Sequence, residues 1–257
     1  LTRSDFVPCA FESLAPLAAG SWQLQGGAPE LSEVPSTQRD EHIYIAGGFR
    51  NGFRSRREFW RYTPATQAWL RLADLPQARD HGMMANYENQ IYFFGGAVDG
   101  GSLRTAWIYD DAGDRWDSLP VMPNARSAGG AVVINDFIYL IGGEPDTDAI
   151  DRYDPATQEW TSFPLPEFTG RDHSAAVVYR DEIWLMGGRR AGTAHGFITI
   201  FNPLTGVVRT APPIRTPRSG FAATVFAGQI VVAGGENFAP LETTNTAEYY
   251  SPENGEW

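Results

Sequence analysis

A pair of adjacent glycines closes a short apolar run five times in this chain, at nearly constant spacing. The runs are Ile43-Tyr-Ile-Ala-Gly47-Gly48, Ile91-Tyr-Phe-Phe-Gly95-Gly96, Ile138-Tyr-Leu-Ile-Gly142-Gly143, Ile183-Trp-Leu-Met-Gly187-Gly188 and Ile230-Val-Val-Ala-Gly234-Gly235. Their first glycines stand 48, 47, 45 and 47 residues apart. A second marker keeps the same phase, an aromatic residue followed seven positions on by a tryptophan: Tyr62…Trp69, Tyr109…Trp116, Tyr153…Trp160 and Tyr250…Trp257, with Phe201…Val208 as a copy that has lost its Trp. A third, small and apolar segment precedes the Gly-Gly run in four copies, over Gly82 to Tyr87, Gly129 to Ile134, Ser174 to Tyr179 and Gly220 to Phe226. Tight polar links such as Asn135-Asp136 and Arg180-Asp181 join it to that run as a hairpin would. The unit is therefore four short strands: a, b ending in Gly-Gly, c ending in the aromatic and d beginning at the Trp. No stretch carries a helical period.

A four-stranded unit of ~47 residues cannot bury both of its faces alone, and radial stacking of such units gives a β-propeller. The pattern resembles the kelch repeat, an apolar run ending in Gly-Gly, then Tyr-Asp-Pro and a Trp, which Tyr153-Asp154-Pro155…Trp160 matches outright. The resemblance spans residues 22–257 and implies an all-β, kelch-type propeller of four-stranded blades, with residues 1–21 as an N-terminal extension. Trp22 stands 47 residues before Trp69 and begins a d strand with no a, b or c before it, while Trp257 begins another. Five repeats are visible, and this duplicate d strand predicts six blades in the intact protein, with most of the last one lying beyond the sequence. In blade 1 the a strand contains Pro35, which cannot donate a ladder bond, so it should be short, leaving Glu33 free to face the centre.

Charge and composition narrow the partners. The net charge of −11 repels a nucleic-acid backbone or an anionic bilayer. None of the 20 basic residues is lysine, which removes phosphate loops ending in Gly-Lys, Schiff-base chemistry and Ser-Lys hydrolysis. One cysteine, Cys9, cannot form an internal disulfide or a zinc cluster, and no cofactor is implied. No apolar run approaches the ~18 residues of a membrane helix. The compartment stays open.

Antiparallel strands place the b-c and d-a connections on one face of the disc. From the first glycine to the c-strand aromatic the spans are 15, 14, 11, 14 and 16, whereas every aromatic-to-Trp span is seven, so length variation concentrates in the b-c loops. Such loops on a rigid scaffold carry recognition residues. The d-a segments there supply Glu33, Arg79, His81, Arg126, Arg171, His173 and Arg218 as candidate ligand contacts. The b-c loops add Arg50, Arg189, Arg190, Glu236 and Phe238. An arginine recurs at one repeat position (79, 126, 171, 218), either as a ring that grips carboxylates or as a strut bonding backbone carbonyls. The duplicated Arg-Asp-His of residues 79–81 and 171–173 invites a metal, but equivalent positions of blades 2 and 4 are not neighbours in a ring, so no metal site is expected.

Two function classes remain. One is a non-catalytic module that binds a protein or peptide, acidic if the arginine ring is the contact. The alternative is a carbohydrate-active propeller similar to sialic acid mutarotases and epimerases, acting on an anionic sugar. A galactose-oxidase-like copper site is excluded, because it needs a Cys-Tyr crosslink within the propeller and Cys9 precedes every repeat.

Overall fold

A computed structural model of the chain describes residues 27–50, 53–145, 148–164, 170–238 and 241–257, with residues 238 and 241 by backbone alone. It is the expected all-β propeller, with no helix among the described residues. Blade 1 pairs strands a to d as Ser36–Arg39, His42–Ala46, Phe59–Thr63 and Ala68–Leu72. Blade 2 pairs Met83–Tyr87, Gln90–Phe94, Ala106–Asp110 and Arg115–Ser118. Blade 3 pairs Gly130–Ile134, Phe137–Ile141, Ala149–Asp154 and Glu159–Pro164. Blade 4 pairs Ala175–Tyr179, Glu182–Met186, Ile198–Phe201 and Val208–Ala211. In blade 5, Ala222–Phe226, Gln229–Ala233 and Ala247–Tyr250 form three strands, and a Ser251–Glu256 bridge leads to Trp257. The expected strand at Trp22 lies outside the described residues.

Each marker residue has a mechanical task. Tyr and Trp stand directly opposite across the c and d strands, as in Tyr153 and Trp160, whose ring centroids are 4.9 Å apart. The indole then reaches the preceding blade: Trp116 donates to the Ala73 carbonyl at 3.1 Å, Trp160 to Pro120 at 3.0 Å and Trp257 to Pro212 at 3.0 Å. Apolar cores therefore lie between blades. Ile91 is buried against Tyr44 and Phe59 of blade 1, Ile138 against Tyr92 of blade 2, Ile183 against Val132 of blade 3 and Ile230 against Val177 of blade 4.

Each of those four isoleucines is fully buried, facing the blade before it, whereas the equivalent Ile43 of blade 1 is 39% exposed. Blade 5 mirrors this, with Phe226 and Tyr249 left exposed on the sheet face turned away from blade 4. Among the described residues, blades 1 and 5 thus border an uncovered seam. Pro35 acts as expected: ladder pairing in blade 1 begins at Ser36, and Glu33 stays outside the strand with φ of 52°.

The b-c loops hold more order than loop length suggested. Four of them fold back as two-stranded hairpins, at Phe49–Arg50 with Arg54–Ser55, Ala97–Val98 with Gly101–Ser102, Arg189–Arg190 with Thr193–Ala194, and Glu236–Phe238 with Leu241–Thr243.

Burial predicts unequal costs for one substitution at two equivalent positions. Ile138→Ala should lose about 2–5 kcal/mol in a denaturant titration, and Ile43→Ala no more than about 1 kcal/mol. Equal losses would mean that something covers Ile43.

Candidate functional site

In every repeat the d-a connection delivers a three-residue segment to the axis: Leu31-Ser32-Glu33, Arg79-Asp80-His81, Arg126-Ser127-Ala128, Arg171-Asp172-His173 and Arg218-Ser219-Gly220. The middle residue bridges to the residue just after its own blade's Gly-Gly pair, as Asp80 does to Ala97 and Asp172 to Arg189. The third residue has a left-handed φ between 51° and 58° in all five. These third residues are linked in sequence by backbone bonds around the axis. His81 N–H donates to the Glu33 carbonyl (3.1 Å), Ala128 to His81 (2.7 Å), His173 to Ala128 (2.8 Å) and Gly220 to His173 (2.9 Å).

The repeated arginines are struts, and their assignment as ligand contacts is corrected. Arg79, Arg126, Arg171 and Arg218 are at most 2% exposed. Arg126 donates to the Gly142 carbonyl and to Ala149 O (3.1 Å) and pairs with the fully buried Asp151 at 3.1 Å. Arg171 donates to Gly187 O (2.6 Å), Leu185 O (2.8 Å) and Thr199 Oγ1 (3.1 Å). Arg218 donates to Gly234 O (2.7 Å), Thr246 O (3.1 Å) and Glu248 (2.5 Å). Arg79 reaches Thr105 Oγ1 at 3.0 Å and lies over the Trp107 ring. The guanidinium groups of Arg126, Arg171 and Arg218 tie b to c at the point where Gly-Gly ends the ladder, and that of Arg79 is held against the start of c, so all four are turned into their blades. Burial draws the Arg171 guanidinium down to about 10, still charged at neutral pH.

The other candidates divide into two groups. Arg50 is held by Glu58 at 3.2 Å and Arg189 by Asp172 at 2.8 Å and Glu236 at 3.4 Å, so these charges already have carboxylate partners. Arg190 is exposed at the rim, and the side chain of Phe238 lies outside the described residues. Glu33, His81 and His173, by contrast, converge in an open axial cavity of about 410 Å³. His81 Nε2 is 3.3 Å and His173 Nε2 3.7 Å from Glu33 Oε2. The two imidazole centroids stand 4.9 Å apart, so the expectation that these histidines are too distant to meet is wrong. The shaft is narrow, and the intervening blade 3 contributes only Ala128 at this level, which lets residues of blades 2 and 4 touch. Sequence reasoning also passed over Asp80 and Asp172, although Asp appears only in the two triplets that end in His.

A family model described as the KLHDC2/KLHL20/DRC7 Kelch-repeats domain matches residues 23–188, and the Kelch motif matches residues 217–257. The chain belongs to the kelch-repeat family. Among curated relatives, Kelch-like protein terF of Aspergillus terreus is 35% identical over 86% of this chain. Kelch-like protein 35 of Mus musculus is 25% identical over 99% of it. The chain spans 42% and 38% of those relatives' own lengths.

The kelch struts give two predictions. Arg126→Ala leaves Asp151 as an unpaired buried charge and should destabilise the propeller by about 3–5 kcal/mol in denaturant unfolding, partly restored by Asp151→Ala on top of it. Glu248 feels opposing influences: burial raises its pKa, but donors from Thr216 and Arg218 outweigh it and hold the carboxyl below its ordinary value of 4.5. A depressed carboxylate contributes stability that is present above the unfolded pKa and is lost as pH falls through the folded one. Acid unfolding below pH 4.5 should therefore be shallower in Glu248→Gln than in the parent, and an unchanged slope would show that the carboxylate contributes nothing.

Proposed function

We propose that this kelch propeller is a non-catalytic recognition module that holds a protein or peptide partner on the face built by the b-c and d-a connections. Protein binding is typical of kelch-like proteins, and the observation that carries the assignment to this face is its exposed apolar side chains. Phe53 in the blade 1 hairpin is 85% exposed, Val121 in a d-a connection 62% and Phe197 at the blade 4 rim 57%. Phe53, raised on a short hydrogen-bonded hairpin, and Phe197, just before strand c in blade 4, are exposed aromatics that suit the anchor residues of a protein interface. Charge argues less for an acidic partner than the sequence suggested, because four arginines are internal and Arg50 and Arg189 are engaged. The same burial removes the arginine ring that motivated an anionic-sugar substrate.

The test compares two faces of one protein. Immobilised parent chain, a Phe53→Ser/Phe197→Ser variant and a Leu204→Ser/Val207→Ser variant on the opposite face are exposed to an extract of the source organism, and captured proteins are quantified. The first variant should lose the parent's captured set by about tenfold or more, and the second should keep it, with melting temperatures unchanged. Loss in the second variant alone, or no protein captured above background by the parent, would overturn the assignment.

A further inference from the structure

We propose that Glu33, His81 and His173 form a binding site for one divalent transition-metal ion on the propeller axis. The site lies at the axis of the same face, inward of Phe53, whose ring packs against Phe49 beside His81, and its metal-binding readout is independent of partner capture.

The geometry comes first. One ligand atom from each residue lies within 4.8 Å of the other two. Tetrahedral coordination with bonds of about 2.0–2.1 Å places ligand atoms roughly 3.3–3.4 Å apart. Glu33 Oε2 is already 3.3 Å from His81 Nε2, and its 3.7 Å separation from His173 Nε2 closes with a small side-chain rotation.

Both imidazoles are also oriented for ligation. His81 Nδ1 is bonded to Asp80 Oδ1 at 2.6 Å and His173 Nδ1 to Asp172 Oδ1 at 2.5 Å. An aspartate accepts from the imidazole Nδ1–H, so each pair sets the ring plane and turns Nε2 toward Glu33 and the axis, where it ligates once it carries no proton. A carboxylate behind a ligating histidine raises its basicity and sets its ring plane. Asp80 is itself held by Ser55 Oγ at 2.5 Å. The backbone is fixed too, since all three residues sit in the left-handed positions joined by the axial hydrogen bonds.

Charge and access agree. Glu33, Asp80 and Asp172 lie against the two imidazoles, and Arg189 pairs with Asp172 and Glu236 beside them. The Arg189 Nη2 lies 3.3 Å from His173 Nε2. On metal binding that Nη2 must turn away, and Glu236, which is 3.4 Å from Nη1, offers it a place. Glu33 is 37% exposed, so a fourth coordination position opens to the mouth. Two imidazoles and one carboxylate suit a first-row ion such as Zn²⁺ and not Ca²⁺ or Mg²⁺, which take oxygen ligands.

The experiment titrates the chelator-treated full chain with Zn²⁺ in a calorimeter and follows Co²⁺ loading by visible absorption. The expected result is one ion per chain, with a raised melting temperature. Glu33→Gln, a partly exposed position that keeps its shape, should abolish stoichiometric binding. Asp80→Asn and Asp172→Asn should each weaken it about 10–100-fold through the loss of histidine orientation. His42→Asn, remote from the axis, should bind as the parent does. Less than one equivalent bound at about 100 μM free Zn²⁺, or binding retained in both Glu33→Gln and His81→Asn/His173→Asn, overturns the site.

Discussion

One backbone contact holds neighbouring blades together: the second glycine of a blade donates its N–H to the arginine carbonyl of the next. Gly48 meets Arg79 at 2.8 Å, Gly96 meets Arg126 at 2.9 Å, Gly143 meets Arg171 at 2.8 Å and Gly188 meets Arg218 at 2.9 Å. The approach leaves no room for a side chain. A Cβ on Gly95 would fall 2.1 Å from the Arg126 carbonyl oxygen, and Gly95 and Gly96 both have left-handed φ. While its carbonyl serves the preceding blade, the arginine's guanidinium turns into its own blade, closing the b-c gap in blades 3, 4 and 5. Glycine pair and arginine are two halves of a single joint, which is why both recur at one period.

The same joint shapes the axis. By fixing where each d-a connection arrives, it places five equivalent residues around a shaft narrow enough for positions two blades apart to touch. What the shaft contains is then decided by side-chain size. Ala128 and Gly220 take up little room, and into the space they leave come one carboxylate and two imidazoles, each imidazole backed by an aspartate.

Strand order, the hairpins joining a to b, the Tyr-Trp pairs and the early break at Pro35 were legible because each depends on local residue chemistry repeated at a fixed period. The direction of the four arginines was not. Repeat position reports how far a Cα lies from the axis, but not whether its side chain turns into the blade or out into the mouth. Unpaired b and c carbonyls beside Gly-Gly decide that, and they exist only after the sheet has formed. Distance across the shaft was illegible for a similar reason: adjacency of blades is a property of the ring's rim, while contact at the axis depends on the shaft's width. Phe53 and Phe197 escaped notice because exposure of a lone aromatic has no periodic signature.

Among the described residues, the outer faces of blades 1 and 5 are uncovered, and this bears on how stability is distributed. A blade flanked on both sides buries two apolar faces, and a blade beside the seam buries one. In a stack stabilised by nearest-neighbour terms, the described residues give blades 2, 3 and 4 two flanking cores and blades 1 and 5 one, so the middle is the most protected part. Blade 3 would then be the last to open, and the axial residues would differ in rigidity, His173 and His81 resting on well-flanked blades while Glu33 rides on a terminal one. Within the axial trio the carboxylate therefore rests on the blade with one flanking core, and the two imidazoles on blades with two.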